Sequence, residues 1–207
     1  MLPHEFPSWK LVCYYFSKWK NNGTIEGIND ILRDGFRKGN GRNSSPSVDL
    51  IDSQSIKTTG AGGQKRGFDG GKRIRGRKRH IRTDTNGLLP SVKVDAAGGH
   101  DGKAGFEVTG SLKHRFDRMK RIYADGGCGG KPVDRVKSAF GWDIEITLRT
   151  DRSAEFKPLP VRWVVERTFS RLENFRRLAK DYEYTTSSSQ AMIYLSFIDL
   201  MINRIIS

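Results

Sequence analysis

Three carboxylates carry the chemistry that this chain could do. Asp52 stands in V-D-L-I-D-S-Q-S-I-K, Val48 to Lys57, where Leu50 and Ile51 before it and Ile56 after it read as a short buried strand. Asp125 ends a second apolar run, R-I-Y-A-D from Arg121, followed by Gly126 and Gly127, where the backbone can turn sharply or approach a ligand. Glu166 lies on a helical pattern one turn after Arg162, so the two side chains are neighbours. Each has an ordinary alternative: a turn or capping aspartate at 52 and 125, and a surface ion pair of about 0.3–0.5 kcal/mol at 162 and 166. Together they say more. Desolvating a lone carboxylate costs several kcal/mol, and three close together repel, so the set calls for hard divalent cations on oxygen ligands. Two Mg²⁺ ions roughly 3.5–4 Å apart, with Mn²⁺ as a substitute, could activate an attacking oxygen and stabilise a departing one in in-line phosphodiester chemistry.

The composition suits such a substrate. Of 207 residues, 37 are Lys or Arg and 23 are Asp or Glu, a formal net charge of +14 that points to a polyanionic partner. The length suffices for one α/β domain with a small appendage. No apolar run reaches the roughly 18–20 residues that span a bilayer, and no basic region followed by an apolar segment opens the chain, so the expected location is the cytoplasm or nucleoid. Cys13 and Cys128 form no C-x-x-C pair, and His4, His80, His100 and His114 have no metal-ligand spacing, so neither a disulfide framework nor a soft-metal site is supported.

Several elements must position the acids. Residues 8–37 read as two short helices around Asn21-Asn22-Gly23, the outline of a helix-turn-helix, with Lys18, Lys20, Arg33, Arg37 and Lys38 expected on its wet side. This gives an incomplete, DNA-binding-like helical segment over 1–40, a Gly-, Asn- and Ser-rich linker over 41–47, and a catalytic domain over 48–207. From Thr58 to Gly76 glycine and basic residues dominate, so a mobile surface loop is expected, gripping phosphate through Lys65, Arg66, Lys72, Arg73 and Arg75. Asn86-Gly87 between Arg77–Asp84 and Leu88–Asp95 marks a hairpin, to which Arg77, Lys78, Arg79 and Arg82 give a basic character. A weakly patterned helix is expected from His100 towards Arg118, a helix from Lys131 through Phe140, and a strand from Trp142 to Leu148. Pro160 suits the start of a helix whose Val161, Val164, Val165, Thr168, Phe169 and Leu172 share one face. Gln190 to Ile205 is a last apolar helix, too interrupted to cross a membrane.

Seven motifs stand in order along the chain: I-D-S-Q-S-I-K at Ile51–Lys57, K-R-G-F-D-G-G-K at Lys65–Lys72, G-R-K-R-H at Gly76–His80, D-T-N-G-L-L at Asp84–Leu89, Y-A-D-G-G at Tyr123–Gly127, R-W-V-V-E-R-T-F at Arg162–Phe169 and K-D-Y-E at Lys180–Glu183. In this the chain resembles bacterial insertion-sequence transposases of the DDE class, insertion-sequence family five, from about Leu2 to its end. The resemblance implies an α/β, ribonuclease-H-like mixed sheet flanked by helices, with Asp52 on the first strand, Asp125 after the fourth and Glu166 on a late helix as the metal-binding catalytic triad. Arg162 matches the family's arginine and would contact DNA phosphate or steady Glu166. With the basic loop and hairpin, the expected DNA contacts are Arg162, Lys57, Lys65, Arg66, Lys72, Arg73, Arg75, Arg77, Lys78 and Arg79.

Two departures from the family pattern stand out: Leu159 replaces a tyrosine before the arginine, and Glu173 replaces a basic residue two turns after the glutamate. Met1–Pro7 resembles an interior stretch of longer relatives, so a truncated product, a second reading frame or a remnant is expected. The implied activity is Mg²⁺-dependent cleavage at the element's terminal inverted repeats and strand transfer into target DNA, by a homo-oligomer on double-stranded DNA. Two alternatives remain: a structure-specific nuclease of the same fold, and a non-catalytic basic DNA-binding fragment that regulates a full-length transposase.

Overall fold

The strand that carries Asp52 is the axis of the sheet. The computed structural model describes residues 3–61, 63–99, 107–110, 115–125, 131–147 and 162–206. Strand β1 (Val48–Lys57) is followed by β2 (Gly67–Asp69), β3 (Ile74–Asp84), β4 (Ser91–Ala96), β5 (Arg121–Asp125) and β6 (Asp143–Thr147). On one side β1 pairs antiparallel with β3, whose far edge takes β2 and β4, both antiparallel. On the other it pairs parallel with β5, and β5 with β6. The longer strands thus run β4-β3-β1-β5-β6, the mixed sheet of the expected ribonuclease-H-like architecture.

Helices cover both faces: α1 (Trp9–Asn21), α2 (Thr24–Gly39), α3 (Lys131–Phe140), α4 (Arg162–Glu173) and α5 (Thr186–Ile206). Alternation along the strands divides the core. Leu50, Ile81, Val92 and Val94 join Val164, Val165, Phe169 and Leu172 of α4 and Ile193, Phe197 and Met201 of α5. Their neighbours Ile51, Ile122 and Ala124 face the other way, onto Val136 of α3, Phe116, Met119 and Trp142. Among the described residues no helix is long and apolar enough to cross a membrane.

The two N-terminal helices turn at Gly23, whose φ of 78° suits glycine. Ile25 of α2 is buried in the same cluster as α4 and α5, so residues 24–39 pack on the sheet's own core. Arg33 and Arg37, expected in water, are buried instead. The cause is pairing: Arg33 meets Asp30 and Asp34, and Arg37 meets Asp84 and donates to the Asn43 carbonyl at 2.7 Å. Helix α1 buries none of its residues and leaves Trp9, Tyr14 and Trp19 exposed.

The hairpin forms around Gly87 (φ 73°), with Asp84 Oδ1 accepting the N–H groups of Asn86 at 2.8 Å and Leu88 at 3.0 Å. Its second strand begins at Ser91, later than the Leu88 expected, directly after Pro90, which has no N–H to give to a ladder. The segment 58–76 is not a plain surface loop. Strand β2 docks it to β3, and the Asp69 carboxylate accepts the Ser55 hydroxyl and, at 3.0 Å, the Lys72 N–H. Gly76 is required there, because a Cβ would stand 1.9 Å from the Ile56 carbonyl oxygen.

The helix expected from Lys131 has the observed bounds, and the strand after Trp142 runs Asp143–Thr147 with Trp142 buried before it. Of the helix expected between 100 and 118, residues 107–110 are helical and 115–118 are not, while 100–106 and 111–114 lie outside the described residues. Gly126, Gly127, Cys128, Leu148, Leu159, Pro160 and Val161 lie outside them too.

Candidate active site

Register brings the first two acids together. In the β1–β5 pair Leu50 aligns with Tyr123 and Ile51 with Ala124, so the next step along both strands is Asp52 beside Asp125. Adjacent strands lie about 4.8 Å apart, and alternation turns both acids to the face of Leu50 and Tyr123, beneath α4. A pocket there is lined by Asp52, Tyr123, Asp125, Arg162 and Val165. Two acids 73 positions apart in sequence thus share one pocket with an arginine from a third element.

The electrostatics follow from that crowding. Burial, joined by the neighbouring Asp125 charge, pushes the Asp52 carboxyl up to about 6, against the pull of the Ser53 N–H, Arg162 and Lys72. The Ser53 N–H donates to Asp52 Oδ1 at 2.7 Å. Lys72 comes from the turn after β2, its Nζ 3.4 Å from the Ser53 carbonyl. Two cations therefore act on Asp52, Arg162 from α4 and Lys72 from the turn after β2.

Helix α4 reaches this position because Val164, Val165, Thr168, Phe169 and Leu172 are buried along one side, leaving 162 and 166 at its margin. Glu166 Oε1 lies 3.3 Å from Arg162 Nε, and its side chain is half exposed. Among the described residues no three His, Cys, Asp or Glu side chains converge closely enough to hold a metal ion. Asp52, Asp125 and Arg162 are brought together; Glu166 stands one ion pair away, linked through Arg162.

The donor set nonetheless fits a hard divalent cation. Side-by-side carboxylates, one of them held well above its ordinary pKa by burial and its neighbour, are an oxygen site whose repulsion a cation would relieve. Soft ligands are absent from the lining residues.

The expected DNA contacts divide. Lys57, Lys65, Lys72, Arg73 and Arg75 are exposed, and Arg66 is half-buried. Arg77, Lys78 and Arg79 are buried, which corrects the expectation of a basic hairpin surface. Arg77 is spent inside: it pairs with Asp181 at 3.2 Å and donates to the carbonyls of Gln64, Glu183 and Tyr184. Lys78 lies 3.7 Å from Asp69, and burial lowers Arg79 to about 10 against the pull of Asp181 and Glu173. Arg82, on the other face, forms a fully buried pair with Asp49 at 2.7 Å.

Basic residues that the sequence did not single out for DNA gather elsewhere, around the tip of the β3–β4 hairpin: Arg42, Arg167, Arg171 and Arg204. The spacing of Arg167 and Arg171, one turn apart with no acid between them on that flank, was the available signal.

A mixed sheet with two acids at the ends of neighbouring parallel pairings, under a helix that carries Arg and Glu, defines a polynucleotidyl-transferase class of domain. Residues 43–200 match the transposase DDE domain family, and the chain belongs to it. Comparison with curated proteins finds no match. Among solved structures the chain is similar to the catalytic core domain of BIV integrase, at 13% identity and a TM-score of 0.43 over 72% of this chain and 82% of that one. It is similar as well to a chain of a simian T-cell lymphotropic virus intasome in complex with a PP2A regulatory subunit, at 11% identity and a TM-score of 0.49, over 73% of this chain and 48% of that one.

Proposed function

We propose that this chain is a metal-dependent transposase of insertion-sequence family five that cuts DNA at the terminal inverted repeats of its element and joins the freed 3′-hydroxyl to target DNA. The observation that carries the reading is the meeting of Asp52 and Asp125, one step beyond the parallel register of their strands, in a pocket that Arg162 also lines, within a transposase DDE domain. Asp52, Asp125 and Glu166 are the catalytic residues and would hold two Mg²⁺ ions, or Mn²⁺ in their place. Bound there, the ions would supply activation of the attacking oxygen and stabilisation of the departing one.

The chain's own groups do the rest. Asp52 and Asp125 offer a rigid pair of carboxylates because both sit on paired strands. Arg162 holds Glu166 and is available to a phosphate oxygen on the pocket side, a bidentate donor suited to that group. Lys72, near Asp52, supplies from the β2–β3 turn the positive charge that Glu173 does not supply from α4. The exposed Lys57, Lys65, Arg73 and Arg75 with the half-buried Arg66 extend that charge along a DNA backbone. Synapsis of two element ends calls for a homo-oligomer on DNA, and the nucleoid is the proposed location.

The test is incubation of the chain with duplex DNA from the flanking element's end and Mg²⁺, scored for nicks at the junction and for joining to a second duplex. Asp52→Ala, Asp125→Ala and Glu166→Ala should each abolish nicking and leave DNA affinity within a few-fold of wild type. Full activity in any of them rejects the assignment. Nicking without joining favours a structure-specific nuclease. The ion pair that holds Glu166 apart from the aspartates favours a second reading, a DNA-binding regulatory fragment. That reading expects salt-sensitive binding and no nicks in either Mg²⁺ or Mn²⁺.

A further inference from the structure

Four arginines surround the tip of the β3–β4 hairpin on the flank of α4 away from Glu166. Arg42 Nη1 donates to the Thr85 hydroxyl at 3.1 Å. Arg167 reaches over Gly87, its Nη2 3.9 Å from where a Cβ would stand. Arg171 and Arg204 line a cleft with Leu88, Phe197 and Met201. They come from the 40–47 connection, α4 and the last turn of α5, so only the fold collects them. Among the described residues none of the four has a carboxylate within ion-pair distance, whereas Arg33, Arg37, Arg77 and Arg82 are all paired.

Arg42 and Arg167 are exposed and Arg171 and Arg204 half-buried, so the cluster is open to an anion from solvent. Burial and the like charge of Arg167 both lower the pKa of Arg204, and Asp84, the acid that opposes them, is already engaged by Arg37. The guanidiniums are nevertheless held in place: Arg167 lies over the Trp163 ring, 4.5 Å from its centroid, and Arg204 over Phe36 at 5.8 Å. Stacked guanidiniums lose little freedom when they meet a phosphate, and each offers five donors and no acceptor.

Position names the partner. Arg162 and Arg167 lie on opposite margins of the buried stripe of one helix, 12 residues long. An α-helix is about 10–12 Å across, a width that about three successive phosphates of one strand cover at roughly 3.4 Å of rise each. We propose that Arg42, Arg167, Arg171 and Arg204 form a second grip on duplex DNA, a phosphate-backbone site that holds the duplex across α4 while the Asp52–Asp125 pocket engages the strand to be cut. This rests on the functional reading above, and moves the main grip from the buried Arg77, Lys78 and Arg79 to the hairpin tip. The contacts are to backbone and carry no sequence preference.

Binding to a mixed-sequence duplex of about 30 base pairs, three helical turns, measured from about 50 to 200 mM salt without divalent metal, tests the site. The triple variant Arg167→Gln, Arg171→Gln, Arg204→Gln should lower the slope of log affinity against log salt by about 2 to 3 and weaken binding at 0.1 M by roughly 50-fold or more, at about 0.9 per phosphate contact. A control with the same charge change at the opposite end of β5, Lys120→Gln, Arg121→Gln, Lys137→Gln, should keep the wild-type slope within about 1. The Lys version of the triple should recover most of the slope, which excludes loss of fold as the cause. An unchanged slope in the Gln triple, or an equal fall in the control, overturns the site alone. A wild-type chain that binds no duplex overturns the functional reading and the site with it.

Discussion

Replacing Arg77 with methionine should unfold this protein more easily and leave its grip on DNA alone. Arg77 is fully buried, with Nη1 on Asp181 at 3.2 Å and on the Glu183 carbonyl at 2.8 Å, and Nη2 on the carbonyls of Gln64 and Tyr184, both at 2.7 Å. It thereby ties the 63–66 segment and the 181–184 segment to β3. Among the described residues Asp181, also buried, would keep only the Ser189 hydroxyl at 2.8 Å and the Glu183 N–H at 3.0 Å. Breaking one side of a buried pair costs about 3–5 kcal/mol, and each orphaned carbonyl adds to that, though not additively. For a chain of this size the loss is a fall in Tm of roughly 6–20 °C, at about 2–4 °C per kcal/mol. Urea and thermal unfolding of Arg77→Met, Asp181→Leu and the double variant measure it. The double should be less impaired than the sum of the singles, because a matched apolar pair leaves no buried charge. A loss below about 1 kcal/mol, with weaker DNA binding and a shallower salt slope, would refute the reasoning and return Arg77 to the DNA surface.

Three further expectations follow from particular contacts. Gly76→Ala should cost more than about 3 kcal/mol in urea unfolding, since its Cβ would meet the Ile56 carbonyl at 1.9 Å and both groups are backbone in paired strands. Burial pushes Asp49 up to about 6 in the folded chain despite Arg82, so its contribution to stability is full below the unfolded value near 4 and is lost as the pH rises through about 6. Asp49→Asn should flatten that segment of the stability–pH curve, roughly 1–3 kcal/mol in all; a slope that persists unchanged in the variant would assign it to other groups. Lys72→Gln should slow nicking of element-end DNA by roughly tenfold or more with little change in stability, since its ammonium lies beside the Asp52 strand and away from the core. Equal nicking rates would remove Lys72 from the site.

What could be read from the sequence was local. The alternation of β1, the run that ends at Asp125, the Asn86-Gly87 turn and the apolar stripe of α4 each depend on residues a few positions apart, and each element formed. The neighbourhood of Asp52 and Asp125 depends on parallel register between strands far apart in the chain, which no spacing encodes; the ordered family motifs carried that inference. Burial of Arg77, Lys78, Arg79 and Arg82 was hidden for the same reason. A basic run reads as surface until the acids that meet it, Asp181, Asp69 and Asp49, arrive from other segments. Helix α1 differs in the opposite sense: Trp9, Val12, Tyr15 and Trp19 stand at helical spacing yet are exposed, while Phe16 of the same helix packs, partly buried, against the core.

Mn²⁺ bound to crystals of the chain, located by its anomalous scattering, tests most directly whether these acids form one metal site. A peak within about 2.0–2.2 Å of carboxylate oxygens from both Asp52 and Asp125, with Glu166 swung from Arg162 to join them and no peak in Asp52→Asn, is the predicted result. At saturating Mn²⁺, a pocket that stays empty, or a peak that persists in Asp52→Asn, would contradict it.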